Sequence, residues 1–142
     1  MQVYNDSKLE EAATAKLRQA GLRPTRQRVQ LACLLLDGRN RHLSAESVQR
    51  EVSAQGGQMA LATIYNCLHQ FEAAGLLKRV HAAEDVYLFD TNLGPHHHFL
   101  DVTTGELIDM PAGHAGDFAL PEPPSGYQAD SVEIIVRVRP KN

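Results

Sequence analysis

The sequence predicts an α+β protein of two domains, and three observations support this fold class. Apolar residues recur at helical spacing through the first half of the 142 residues, between glycines placed to end helices. Short runs of strand-forming residues replace this pattern from residue 77 onward. The turn-rich segment Asp90–Pro95 interrupts these runs, so we place the domain boundary there.

Two helices are predicted before residue 39. The first begins at the capping-box signature that opens with Ser7, and it ends near Gly21. The second begins at Thr25 and runs to about Asp37, and residues 39–42 then form a polar loop. Helical spacing predicts that Leu9, Ala13 and Leu17 face the core in the first helix, and Val29, Cys33 and Leu36 in the second.

Two further helices, Ser44–Gln55 and Met59–Leu76, are joined by a short glycine turn and have the proportions of a helix-turn-helix. Thr63, Tyr65 and Asn66 lie outside the apolar stripe of the second of these helices, where they are placed to enter a DNA groove. The predicted core residues are Val48, Val52, Ile64, Cys67, Leu68 and Phe71.

A β-hairpin is predicted directly after the fourth helix. Its strands are Leu77–His81 and Val86–Phe89, with Ala82–Asp85 between them. Helix, turn, helix and hairpin in this order form a winged helix, which is a DNA-binding fold. The alternative interpretation is a helical hairpin that is packed for structure alone.

The second domain is predicted over residues 96–142, after a first domain of residues 1–90 and a hinge of residues 91–95. Alternating apolar residues indicate a small three-stranded sheet in this domain. Its predicted strands are His98–Val102, Glu106–Met110 and Ser131–Arg139, and Pro111–Gly126 is predicted to be a loop with at most a short helical turn.

Charge is unevenly distributed along the chain. Residues 1–81 contain eleven Lys and Arg against seven Asp and Glu, a net charge of +4, whereas residues 82–142 contain three against ten, a net charge of −7. The basic residues between positions 18 and 50 suit contacts with DNA phosphates, and we predict that Arg23, Arg26 and Arg28 bind DNA.

Composition argues against several classes of protein. No apolar run approaches the roughly 20 residues of a membrane span, and the first residues lack the features of a signal peptide. We therefore expect a cytoplasmic protein with no membrane partner. Cys33 and Cys67 fall within helical patterns and are predicted to be reduced core residues. Two cysteines are too few for a structural zinc site of four thiolates.

The clearest chemical signal is the run His96-His97-His98. On a strand, His96 and His98 share a face while His97 points the other way, so the first and third can bind one metal ion or a haem iron. Imidazole suits Fe, Zn, Mn or Cu, and Asp90 and His42 are candidates for further ligands. A solvated polar turn is the alternative interpretation of this run.

Three ordered motifs lie between residues 15 and 110, namely GLRPTRQR (Gly21–Arg28), HLSAE (His42–Glu46) and LATIY (Leu61–Tyr65). With these motifs the chain resembles the ferric uptake regulator (Fur) family. The resemblance implies a winged helix followed by a small α/β dimerisation domain, and a homodimer that binds AT-rich inverted-repeat operators in double-stranded DNA. In the family, the tyrosine matching Tyr65 touches thymines, and the basic residue matching Arg23 reaches the backbone or the minor groove.

The same resemblance implies a metal site that joins the two domains. It would be formed by His42, Asp90, His96 and His98, with Asp90 in place of the usual glutamate, and it would hold Fe²⁺, Mn²⁺ or Zn²⁺. Ligands on both sides of the hinge would fix the orientation of the DNA-binding domains, so occupancy would alter the spacing of the recognition helices.

Where the sequence departs from the family pattern, it resembles the iron response regulator (Irr) subfamily. Asp101–Thr104 stands where most members have Cys-x-x-Cys, and the HHHF and LPEPPSGY segments match Irr. This similarity implies a regulator of iron and haem homeostasis genes that binds DNA under iron limitation and is inactivated by haem at His96, His97 and His98. The alternative is a Fur-like repressor activated by divalent Fe, Mn or Zn.

Two other classes of function compete with a regulator. A metalloenzyme could use the histidines, but no pattern indicates a substrate pocket or places a third ligand. A metal-storage or protein-interaction module would leave the arginine-rich first half unexplained. We therefore expect a transcriptional regulator and not an enzyme.

Overall fold

The computed structural model describes residues 2–111 and 119–142, with side chains from residue 6 onward. The chain divides between Leu93 and Gly94 into two compact units. The first unit contains all the helices of the described residues and a three-stranded sheet, and the second contains another three-stranded sheet. Every helix in the described part of the chain is too short or too polar to cross a lipid bilayer.

Four helices build the first unit. Their bounds are α1 (Gln2–Gln19), α2 (Arg26–Leu35), α3 (Ala45–Ala54) and α4 (Leu61–Ala73). Thr25 caps α2 by accepting a hydrogen bond from the Arg28 amide, and Ser44 and Ser47 form a reciprocal capping box at α3. Gly75 ends the segment after α4 with a left-handed φ of 80°.

The core of the first unit lies between the helices and the hairpin. Ile64, Cys67, Leu68 and Phe71 are buried on α4 as the sequence predicts, and Val48 and Val52 are buried on α3. The other buried members are Ala13, Leu17, Leu31, Ala32, Leu35, Leu43, Ala45, Leu77 and Phe89.

Three predictions about the first two helices are wrong. Ser7 does not cap α1, because the helix already runs through this position from Gln2, and Leu9 is exposed. On α2 the buried residues are Leu31, Ala32 and Leu35. Val29, Cys33 and Leu36 are only half-buried, because the apolar run of residues 31–36 offers several possible faces and packing against α1 and α4 selects one of them.

The sheet of the first unit has the order β1-β3-β2, where the strands are β1 (His42–Leu43), β2 (Lys78–Ala83) and β3 (Val86–Asp90). The turn of the hairpin is tighter than predicted, since β2 continues to Ala83 and Asp85 adopts a left-handed φ of 60°. Residue 42 was predicted to lie in a loop, but it forms β1, which pairs antiparallel with β3. Burial of Leu43 in the core holds this short strand in place.

The sheet of the second unit has the order β5-β4-β6, where the strands are β4 (His98–Asp101), β5 (Leu107–Asp109) and β6 (Ile135–Val138). The three predicted strands are present and shorter than expected. β4 pairs antiparallel with β5 and parallel with β6. The predicted loop over residues 111–126 falls partly outside the described residues, and its described part contains neither helix nor strand.

Candidate functional site

Two of the predicted ligands, His42 and Asp90, face each other across the sheet of the first unit. They are partners in the β1–β3 register, and His42 Nε2 lies 3.3 Å from Asp90 Oδ2. Asp90 is fully buried, and its Oδ1 accepts a hydrogen bond from the Asn92 amide at 2.9 Å. The Thr91 amide donates to the Arg41 carbonyl, which extends this pairing by one residue.

The other two predicted ligands converge with a third residue in the second unit. His96 Nε2 and His98 Nε2 lie 3.4 and 3.3 Å from the same oxygen, Asp109 Oδ1. The two imidazole rings are 4.5 Å apart between centroids, and the His98 side chain is fully buried. His96, His98 and Asp109 each offer a ligand atom within 4.8 Å of the others.

Asp109 was missed by the sequence analysis, although its position follows from the turn before β5. Asp101 Oδ1 accepts hydrogen bonds from the Thr103 and Thr104 amides, and Gly105 closes the turn with a left-handed φ of 79°. This turn sets the antiparallel register in which His98 lies opposite Asp109. Counting outward from the predicted loop Thr103-Thr104-Gly105 pairs His98 with Met110, so the observed register was needed to identify the pair.

The donor set fits a divalent transition-metal ion. Imidazole nitrogen with carboxylate oxygen is the ligand chemistry of Fe²⁺, Mn²⁺ and Zn²⁺ sites. His96 Nδ1 lies 2.7 Å from the Gly94 carbonyl oxygen, which can only accept. Nδ1 is therefore the donor in this contact, which leaves Nε2 as the nitrogen that can bind an ion, the usual arrangement of a metal-binding histidine.

His97 differs from its two neighbours. It is buried, and its Nδ1 accepts a hydrogen bond from the Ile134 amide at 3.1 Å. An imidazole whose Nδ1 accepts carries its proton on Nε2, so neither nitrogen offers a lone pair to an ion in this arrangement. The contact joins the residue before β4 to the segment that leads into β6.

The residues predicted to read DNA bases lie along the first half of α4. Asn66 is exposed, while Thr63 and Tyr65 are half-buried. The negative charge of Glu46, with burial and Tyr87, raises the pKa of the Tyr65 phenol, so this hydroxyl stays protonated at neutral pH. A neutral phenol offers an apolar ring and a hydrogen-bonding hydroxyl to a base edge.

The three arginines predicted to contact phosphates differ in their exposure and hydrogen bonding. Arg23 and Arg26 are exposed. Arg28 donates through Nε and Nη2 to Gln70 Oε1 and through Nη1 to the Arg23 carbonyl. Arg28 therefore ties the start of α2 to α4 within the protein, a role that the sequence analysis did not foresee.

The chain resembles known proteins in both sequence and structure. The profile of the "Ferric uptake regulator family" matches residues 19–115. The ferric uptake regulation protein of Pseudomonas aeruginosa is 40% identical over 97 residues, which cover 68% of this chain and 72% of that protein. The corresponding protein of Legionella pneumophila is 39% identical over 96 residues, covering 67% of this chain and 71% of its own.

Solved structures of ferric uptake regulators also resemble this chain. The ferric uptake regulator of P. aeruginosa with manganese has a TM-score of 0.71 and 31% identity, over 92% of this chain and 98% of that one. The Vibrio cholerae ferric uptake regulator has a TM-score of 0.67 over 89% of this chain and 98% of its own, and at 23% identity this likeness concerns the fold alone. The predicted α+β fold class, a winged helix followed by a small sheet domain, is confirmed by these neighbours.

Proposed function

This chain belongs to the ferric uptake regulator family, and we propose that a divalent cation held by histidine and carboxylate side chains controls its binding to operator DNA. Members of the family are metal-responsive transcriptional regulators, so the chain is not an enzyme. The observation that carries the proposal is the convergence of His96, His98 and Asp109 around one small volume. The proposed ligands are His42, Asp90, His96, His98 and Asp109.

The proposed site joins ligands from both units. Asp90 and His96 are six positions apart, so the chain between them spans at most about 20 Å and both residues can reach one ion. Three imidazoles and two carboxylates suit Fe²⁺, Mn²⁺ or Zn²⁺, and five donors exceed the four of a structural zinc site. When bound, the ion would supply a single point to which donors from either side of the hinge are fixed.

The bound ion would affect DNA binding by limiting the conformations of the hinge. While His42 and Asp90 are held with His96 and His98, the hinge at residues 91–95 loses freedom. The spacing of two recognition helices in a dimer is then restricted, and a fixed operator spacing selects the restricted state.

We propose that α4 enters the major groove of an AT-rich inverted repeat. Thr63, Tyr65 and Asn66 would contact base edges, with Tyr65 on thymine methyl groups. Arg23 and Arg26 would contact phosphates, and Arg28 would contribute charge while holding α2 to α4. We also propose a cytoplasmic location, because operator DNA lies there.

We propose that the second unit forms a homodimer, as Fur-family regulators are dimeric. Phe99, Ile108 and Val136 are register partners and form one apolar row across the sheet, on the face opposite His98. Ile108 is 44% exposed and Val136 is 37% exposed, which is unusual for a row of apolar residues on a monomer. Ile108→Lys should therefore halve the mass measured by sedimentation equilibrium.

Regulation by haem, as in the Irr subfamily, is a second candidate. The run of three histidines and the lack of the family's cysteine pairs favour it. Access to the histidines argues for a small cation, because His98 is fully buried and His97 Nδ1 already accepts a hydrogen bond. A porphyrin could reach His98 only if neighbouring side chains moved, whereas a cation of atomic size fits between the imidazoles and Asp109.

Anisotropy of a labelled AT-rich inverted-repeat duplex tests these proposals. We expect Mn²⁺ to tighten binding by the full-length protein at least about tenfold over EDTA, which is about 1.4 kcal/mol of coupling between the sites. His96→Ala with His98→Ala should abolish this ratio, and His81→Ala should retain it. If Mn²⁺ has no effect and stoichiometric haem weakens binding, the haem candidate replaces the cation. Binding that does not weaken steeply with salt would refute DNA recognition.

A further inference from the structure

The hairpin of the first unit carries a basic side chain that is engaged within the protein. Arg79, on β2, donates from Nε and Nη2 to the two carboxylate oxygens of Glu72 on α4, both at 2.9 Å. Its guanidinium carbon lies 4.2 Å from the ring centroid of Tyr87 on β3. With its charge matched and one face covered, Arg79 is poorly placed to contact phosphates, and it links the hairpin to the recognition helix.

The same guanidinium fixes a histidine on the recognition helix. Arg79 Nη2 lies 3.0 Å from His69 Nδ1, and because a guanidinium can only donate, Nδ1 is the acceptor. Phe89 meets the His69 ring edge to face at 5.6 Å. His69 is half-buried on the face of α4 that meets the hairpin.

His69 in turn supports Tyr65. The two residues are one turn apart on α4, so their side chains are neighbours on one face. Their rings stack with centroids 5.7 Å apart and planes 24° apart. A stacked ring limits the rotamers of Tyr65 before DNA arrives, and a side chain that is already ordered loses less entropy on binding.

We propose that His69 is a positioning residue for Tyr65 and that Arg79 holds His69 in place. The hairpin then influences which bases are preferred without touching a base. This inference rests on the proposed contact between Tyr65 and thymine, and it adds a determinant of specificity that lies outside the DNA interface.

The test compares thymine with uracil, which differ only in the C5 methyl group. The duplex is selected by wild-type protein from a randomised pool of AT-rich inverted repeats, and it is measured by anisotropy with full-length protein and excess Mn²⁺. Wild-type protein should prefer thymine by about fourfold for each buried methyl group. His69→Ala and Arg79→Met should reduce this ratio to below about twofold, with the dependence of affinity on salt unchanged, because no phosphate contact is lost.

Two further variants separate positioning from general damage. His69→Phe keeps a ring beside Tyr65 but removes the nitrogen that Arg79 holds, so it should lower the thymine preference as Arg79→Met does. Lys8→Met removes an exposed charge on α1 and should leave the preference unchanged. Circular dichroism and urea midpoints identify which variants are folded, and only those are compared.

The outcomes distinguish the two proposals. A folded His69→Ala or Arg79→Met that keeps the wild-type ratio would overturn the positioning role while leaving DNA binding intact. A folded His69→Phe that keeps this ratio would show that Arg79 does not act through the His69 nitrogen. Wild-type protein that binds the duplex without preferring thymine would refute the Tyr65 contact and this inference with it. Wild-type protein that binds no duplex would refute the proposed function itself.

Discussion

Phe71→Ala is expected to destabilise the first unit by about 4 kcal/mol. Phe71 lies on α4, is fully buried and belongs to the core shared by the helices and the hairpin. Removing its ring from an apolar site forfeits about 2 to 3 kcal/mol of transfer free energy, and the cavity that remains accounts for the rest of a typical 3 to 5 kcal/mol. With an m-value of about 1.5 kcal/mol/M, the urea midpoint should fall by about 2 to 3 M.

Far-ultraviolet circular dichroism is the appropriate assay, because in the described residues every helix belongs to the first unit. Val86→Ala is the control, since Val86 is 51% exposed on the hairpin and its truncation should change the free energy of unfolding by less than about 0.5 kcal/mol. A midpoint shift for Phe71→Ala no larger than that of Val86→Ala would refute the assignment of this helix face to the core.

Three further predictions concern a cap, a ligand and the thiols. Ser44→Ala removes the capping box of α3 and should cost about 1 kcal/mol in urea unfolding, so an unchanged midpoint would contradict the cap. Asp109→Asn should weaken Mn²⁺ binding, measured by calorimetry, at least about tenfold. Asp101→Asn, in the turn before β5, removes the same charge and should not weaken it. Equal effects of the two substitutions would show that only the charge matters and would contradict a ligand role for Asp109. Burial raises the pKa of the Cys33 and Cys67 thiols, so the thiolate fraction is small at neutral pH and rises only as the pH is increased. Alkylation of the folded protein should therefore be slow, and slower at the more buried Cys67. An alkylation rate equal to that of the urea-unfolded protein would contradict this prediction.

Much of the first unit could be predicted because its signals are local. The apolar stripe of α4 and the start of α3 at Ser44 depend on residues within one or two turns of each other, and both predictions are confirmed. The face of α2 could not be predicted, since residues 31–36 are all apolar and any stripe would satisfy the local pattern. Contacts with α1 and α4 decide which of these residues are buried.

In the candidate site, too, one feature could be predicted from the sequence and others could not. The alternation of side chains on a strand predicts that His96 and His98 share a face, and the structure brings their Nε2 atoms to one oxygen. Asp109 could not be recognised from its immediate neighbours, since a single aspartate near the end of a short strand is unremarkable. Likewise, nothing beside His69 indicates that Arg79, ten positions further along the chain, fixes it.

The sequence by itself determined the kinds of residue available, the periodicity of the helices and the family to which the chain belongs. These properties depend on composition and on residues that are close along the chain, so they can be deduced from the linear sequence. Tertiary structure alone decided which donors meet, because strand register and helix packing bring together atoms that are distant along the chain. Asp109 faces His98 through one turn, and Arg79 fixes His69 through the fold of the hairpin onto α4.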